Sequence, residues 1–400
     1  MSNGNSSGIA LGGLVFATVL GVLIVAAGTW FGGAYYYGQQ RIEVREKVLA
    51  TAKWSPTRIE RERSADCDAG KMRQEAESLL KDVGLFEVGK VDRFREAPTT
   101  QRARELSRTM REMKPALDAF LAAADCQENG RLARTGKDQQ LSGVVLTRAL
   151  LTESWIEPER VSDLRKALWI GRDIQATDGL YEFREGALVM ESAYQALQYA
   201  LAQGELDDQL TDFQGQLNIL VGSEESAQLQ WRSGARIILA DVLGEDWDNN
   251  PPTPLRARAM LESMDEVIAS LESMPDIANQ PYPERHKAMK DWVAKHDMST
   301  WDQKFRGFGK AGLQADGLAT RTNAWGRALY LAVGLRRYKL ARGGCPRSLE
   351  DLLKGEYVAS IPIDPLAEAP FTYDRASCRI TSADPLLKGE PVSVSAIEYP

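Results

Sequence analysis

A chain of 400 residues with 44% hydrophobic and 26% charged side chains reads as a folded polypeptide, not a disordered tail. Its formal net charge of −7, with no long Lys/Arg block, speaks against DNA or RNA as a partner. No GxSxG, HExxH, P-loop or GxGxxG pattern occurs, so the enzyme classes those motifs mark drop out, and only an enzyme without a recognisable motif stays open.

The run from Ile9 to Tyr37 contains no Asp, Glu, Lys, Arg or His. About 20 apolar residues suffice to cross a bilayer, so the run predicts an N-terminal transmembrane helix. Trp30, Tyr35, Tyr36 and Tyr37 stand at its C-terminal end, where amphipathic rings prefer the headgroup level. The preceding MSNGNSSG has no basic residue and the apolar run exceeds a signal-peptide core, which argues for an uncleaved anchor. Gly13, Ala17 and Gly21 recur every four residues, and Gly8/Gly12 and Gly28/Gly32 match GxxxG. Such a face lets membrane helices approach closely, although glycine is also simply common in them.

Beyond the anchor the pattern is helix, short loop, helix. The first helix continues without a breaker to Lys53, before Pro56. Asp66 to Val83 is expected to be helical, with Gly84 as its stop. After Pro98, Leu106, Met110, Met113, Leu117, Phe120 and Ala124 form one amphipathic stripe. Val161, Leu164, Leu168 and Trp169 mark the next helix, and Leu180 to Leu201 another with Phe183, Ala187, Met190, Tyr194 and Leu197 inward. Helices over Leu210–Val221 and Ser223–Leu243 follow. DWDNNPPTP (246–254) is a linker in which Thr253 can cap and Pro254 can open the next helix. A weaker helix spans Glu284 to Lys295, and a long one spans Gln314 to Ala341, stopped by Gly343-Gly344. The fold expected is mainly α: the membrane helix, an antiparallel all-α body and a small C-terminal α+β module with a β-hairpin. The corresponding segments are 1–8, 9–37, 38–245, 246–342 and 343–400.

In that module Ser348 is expected to cap the short helix SLEDLL, Pro362, Asp364 and Pro365 to force a turning path, and Phe371–Tyr373 and Cys378–Ile380 to form the hairpin around Asp374-Arg375. The order of Tyr338, Gly343 or Gly344, Pro346, Ser348, Leu349, Leu352, Pro362, Asp364, Pro365, Phe371 and Tyr373 resembles the C-terminal part of type II secretion major pseudopilins. The likeness covers about fifty residues. The basic leader, processing site and glutamate of that family have no counterpart in residues 1–30, and this chain is far longer. The resemblance therefore implies a bacterial single-pass protein sharing an end module, not a filament subunit. It also implies a module facing the periplasm, and a link to a secretion- or pilus-related assembly.

Topology draws conflicting signals. Arg41, Arg45 and Lys47 follow the apolar run, which favours a cytoplasmic body. Four cysteines with no zinc-like spacing favour an oxidising compartment, with Cys67–Cys126 and Cys345–Cys378 as one pairing and four free thiols as the alternative. The periplasmic side is the expectation.

The remaining candidates are few. His286 and His296 are ten apart, the wrong spacing for a zinc pair on a helix. Asp364 is a weak metal candidate, with Asp374 and Asp384 as conceivable companions, against its simpler role of capping a turn. Glu224-Glu225 and Asp207-Asp208 read as solvated faces. Trp247 and Trp301, placed in loops, are candidate contact residues, whereas Trp231 and Trp325 lie in apolar stripes. No catalytic residue and no cofactor is assigned. The expected partners are the lipid bilayer and proteins bound through the helical body and the membrane helix. A membrane-tethered hydrolase or carbohydrate-binding enzyme, its site assembled from separate helices, is the alternative function.

Overall fold

The computed structural model describes residues 6–50, 64–83, 100–127, 161–176, 180–222, 247–249, 252–262, 279–295, 308–382 and 392–396, with a few isolated positions between them. Within α1 the side chains of residues 6–22, 24 and 49 lie outside that description. The elements in chain order are α1 (Ser6–Ala50), β1 (Ser64–Asp68), α2 (Ala69–Val83), α3 (Thr100–Ala122), β2 (Cys126–Gln127), α4 (Val161–Gln175), α5 (Leu180–Gln203) and α6 (Leu210–Gly222). They continue with α7 (Pro254–Glu262), α8 (Tyr282–Lys295), α9 (Phe308–Arg342) and α10 (Glu350–Lys354). Five short strands close the described chain: β3 (Ile363–Asp364), β4 (Ala369–Pro370), β5 (Thr372–Asp374), β6 (Arg379–Thr381) and β7 (Ser393–Ser395). The protein is mainly helical, with small antiparallel sheets near its C-terminus.

Two compact units share the chain. One comprises residues 1–53, 234–274 and 296–307, and the other 54–233, 275–295 and 308–400. In the first, α7 lies along α1. Arg41 of α1 donates to Leu243 O at 3.3 Å, pairs with Asp248 and lies 5.7 Å over the Trp247 ring. Among the described residues no helix is long and apolar enough to cross a membrane. Of the Ile9–Tyr37 run, the described side chains are those of residue 23 and residues 25–37, a stretch shorter than the roughly 20 residues a bilayer requires. Gly13, Ala17 and Gly21 fall outside it, and Gly28 and Gly32 have open space around them.

In the second unit α9 is the central strut. It packs against α5, α6, α8 and the strands β6 and β7. Its buried residues include Ala324, Trp325, Ala328, Leu329, Leu331 and Leu335, as the apolar stripe requires. α4 and α5 cross closely because two glycines meet. Gly171 faces Val189 and Met190, while Gly186 faces Gly171 O and Gln175, so the two helices run antiparallel with almost no space between backbones. The inward positions expected of α5 are all buried.

α2 starts later than its sequence suggests. Residues 64–68 form a strand beside Cys126–Gln127, held by the Cys67–Cys126 pair, with Cα atoms 5.1 Å apart. Asp68 then caps the helix, its Oδ1 accepting from Gly70 N at 2.9 Å and Lys71 N at 3.3 Å. The cross-strand tie and the cap together override the helical propensity of residues 66–68.

The C-terminal module is fastened to α9 at several points. Gly343, at φ +78°, ends α9, its N–H donating to Lys339 O at 2.8 Å. Cys345 and Cys378 stand as a second disulfide pair, Cα atoms 5.9 Å apart. Strands β5, β6 and β7 form an antiparallel sheet with Tyr373 opposite Ile380 and Ile380 opposite Val394. Tyr373 OH donates to Pro346 O at 3.0 Å, and Ala359 N donates to Tyr330 Oη at 2.8 Å. Ser348 does not cap α10 as expected. The Asp351 carboxylate reaches back instead and accepts from Arg347 N at 3.1 Å.

Candidate functional site

A cleft of about 510 Å³ opens in the second unit, lined by Glu191 from α5, His286 and Lys290 from α8, and Leu313, Gln314, Gly317, Leu318 and Arg321 from α9. Helical spacing assembles it. His286 and Lys290 are four apart, and Gln314, Gly317, Leu318 and Arg321 recur at three- and four-residue steps, so each helix gives the cleft one face.

Behind the cleft wall stands a buried polar knot. Asp316 is only 1% exposed. Arg285 Nε donates to Asp316 Oδ1 at 3.0 Å, its Nη2 to Thr320 Oγ1 at 3.0 Å and its Nη1 to Gln280 O at 3.0 Å. Thr320 Oγ1 in turn donates to Asp316 O at 2.9 Å. The Tyr282 ring lies 5.6 Å from the Arg285 guanidinium carbon and 5.5 Å from the His286 ring. A guanidinium with three hydrogen bonds and an aromatic face beside it offsets the cost of burying the Asp316 side chain. On the other wall Arg321 pairs with Glu191 at 2.9 Å.

The chemistry this arrangement offers is limited. His286 Nδ1 is 3.9 Å from Asp316 Oδ2, beyond hydrogen-bonding distance. Among the described residues the lining supplies no serine, threonine or cysteine, and its one described carboxylate, Glu191, pairs with Arg321. It can hold a small molecule between Lys290, Gln314 and the leucines. Among the described residues it presents no nucleophile beside a base.

The residues singled out from sequence are scattered. His286 lines the cleft, and His296 lies outside the described residues. Asp364 is fully buried: its Oδ1 accepts from Leu366 N at 3.0 Å and its Oδ2 from Ser382 Oγ at 2.5 Å. Its carboxylate therefore closes the β3–β4 turn. Asp374 accepts from Ala376 N at 3.0 Å and from Ser377 Oγ, bonds that hold its carboxyl below the usual range, the Ser377 bond foremost. Asp384 is outside the described residues. Among the described residues no three His, Cys, Asp or Glu side chains gather as a metal site would need.

Two expectations need correcting. Trp247 is not an exposed loop residue but 7% exposed in a helical turn, its ring covered by Arg41. Asp208 is exposed as a solvated face implies, whereas Asp207 is only partly exposed and is paired. Arg336 donates to both its carboxylate oxygens, at 2.8 and 2.6 Å, and that bond is the main reason the guanidinium is held above its ordinary pKa. Trp325 is buried as its stripe implied, and Trp292 is buried too. Trp301, Trp231 and Glu224-Glu225 fall outside the described residues.

Asp316, Arg285 and Arg321 were not legible as a group. The available signal was a charged residue within an otherwise apolar face of a long helix, at Asp316 in LQADGLAT. Comparison with known proteins finds no matching family model, no similar curated protein and no similar solved structure.

Proposed function

We propose that this chain is a single-pass membrane protein of the bacterial cell envelope that acts as an interaction scaffold, with its helical body on the periplasmic side. One observation carries the membrane reading. The described α1 side chains Leu23, Val25, Trp30, Phe31, Tyr35 and Tyr36 are between 52 and 72% exposed. Neighbours such as Trp30 and Phe31 point to different sides of the helix, so no single protein face would cover them, whereas lipid covers all sides. The charge-free Ile9–Tyr37 run supports the same reading. The periplasmic side is supported by all four cysteines standing as two disulfide pairs, bonds that persist in oxidising compartments. The likeness of the end module to pseudopilins suggests a secretion- or pilus-related assembly as the setting.

Protease treatment of spheroplasts tests the topology. A periplasmic body is digested from outside, and a body that survives until the membrane is lysed overturns it. In-cell crosslinking followed by detergent extraction tests the scaffold role. A protein recovered only as an uncrosslinked monomer counts against that role.

The cleft favours a second reading, a membrane-tethered hydrolase or carbohydrate-binding enzyme. Glycoside hydrolysis commonly uses two carboxylates flanking the bond, and the described lining holds one. The scaffold reading fits better. Turnover of an ester, amide or glycoside that disappears in His286→Ala would reverse that order.

A further inference from the structure

We propose that the start of α7, Thr253-Pro254-Leu255, dips into the lipid headgroup layer beside α1 and gives its unit a second contact with the bilayer. This rests on reading α1 as the membrane anchor.

The placement comes from α1 itself. At Arg41 the helix holds Leu243 O, Asp248 and the Trp247 ring. Pro254 instead lies against Gly33: a Cβ built there would be 3.2 Å from Pro254 Cβ. Gly33 is eight residues nearer the N-terminus than Arg41, about 12 Å along a helix. Pro254 therefore stands further toward the N-terminus of α1 than Trp247 and Asp248 do, at the level of the aromatic residues Trp30 to Tyr37. α7 then descends, which brings Arg258 within electrostatic reach of Tyr37. The start of α7 is the point of this segment closest to the apolar run.

The residues at that point suit a lipid surface. Leu255 is 80% exposed, the largest exposure among the big apolar side chains described. Lone exposed leucines are ordinary, but this one sits at the depth where an anchored α1 meets headgroups and acyl chains. Arg256 follows, also exposed, and an arginine there can lay its stem on lipid while its guanidinium meets a phosphate. The backbone brings few bare donors with it. Pro252 and Pro254 have no N–H, and Thr253 caps the helix, its Oγ1 accepting from Arg256 N at 3.4 Å and its carbonyl from Ala257 N at 2.8 Å.

The test uses the full chain in vesicles of phosphatidylcholine and phosphatidylglycerol. Single cysteines replace Phe31, Leu255 or Glu262 and are labelled with an environment-sensitive fluorophore without reductant, so that the paired native cysteines stay unlabelled. Lipids carrying a nitroxide near the headgroup then quench by depth. We expect the labels at 31 and 255 to lose about half their fluorescence and the label at 262, two turns further along α7, to lose little. A label at 31 that is quenched while 255 behaves like 262 overturns the second contact and leaves the anchor standing. Equal quenching at 255 and 262 also overturns it, because the contact would not belong to the start of the helix. An unquenched label at 31 overturns the anchor and the contact together.

Discussion

Replacing Gly186 with Ala is expected to destabilise this protein, although alanine is the better helix former. A Cβ at Gly186 would lie 2.4 Å from Gly171 O and 2.5 Å from Gln175 N. Ordinary contacts are about 3.5–4.0 Å, so α4 and α5 would have to separate by about 1 Å. Both obstructing atoms are backbone, so no rotamer change relieves them. Such overpacking costs about 1–3 kcal/mol, and here the upper end applies. Alanine returns about 1 kcal/mol through helix propensity, leaving a net loss of about 2 kcal/mol. Gly215 is the control. It lies exposed in the middle of α6 with nothing within 4 Å of its added Cβ. There the same substitution should stabilise by about 0.5–1 kcal/mol. Urea unfolding of the full chain in detergent, followed by circular dichroism at 222 nm, compares the two. With a slope of about 2 kcal/mol per molar, Gly186→Ala lowers the midpoint by about 1 M and Gly215→Ala raises it slightly. A Gly186→Ala midpoint at or above that of the unmodified protein would refute the close α4–α5 crossing.

Three further outcomes follow from particular contacts. Cys378→Ser should loosen the C-terminal module while the helices stay folded. Closing a loop with a sequence separation of 33 contributes about 4 kcal/mol through loop-closure entropy, and amide exchange across residues 345–382 should rise accordingly; labelling of both Cys345 and Cys378 without reductant in membrane-extracted protein would show that the bond is not there. Arg285→Met leaves the Asp316 carboxylate buried without its main partner and should lower stability by about 3 kcal/mol, whereas the paired Arg285→Met/Asp316→Leu variant should recover much of it, as read from urea midpoints. Burial pushes the Tyr373 hydroxyl up to about 12, so the neutral form is favoured in the folded module: its contribution is complete below the ordinary tyrosine range near 10 and fades as pH rises through about 12. Tyr373→Phe should remove that late step from the absorbance titration at 295 nm, and an unchanged titration curve would contradict the burial.

Most of the described helices could be read from the sequence, because their apolar residues recur at helical steps and their ends carry strong local signals; the helix expected over Ser223–Leu243 lies almost wholly outside the described residues. The stripe from Met110 to Phe120, the inward face of α5, Thr253-Pro254 at the start of α7 and Gly343 at the end of α9 all follow from side chains within a turn or two of each other. The β5–β6 hairpin was legible for the same reason, its strands flanking one short turn. The strand at residues 64–68 was not, because its partner Cys126–Gln127 lies 59 residues away at the paired cysteines. Asp207 and Trp247 were misread for a related reason: a charge or an indole looks exposed until Arg336 or Arg41 arrives from a distant helix. The cleft is the extreme case. Glu191, His286 and Arg321 come from three helices, and no local spacing couples them. Local periodicity fixes which residues are helical and which face is apolar, since those depend on nearest neighbours along one helix. Pairings across the core, and the site they enclose, depend on how the helices cross, and only the tertiary structure decides that.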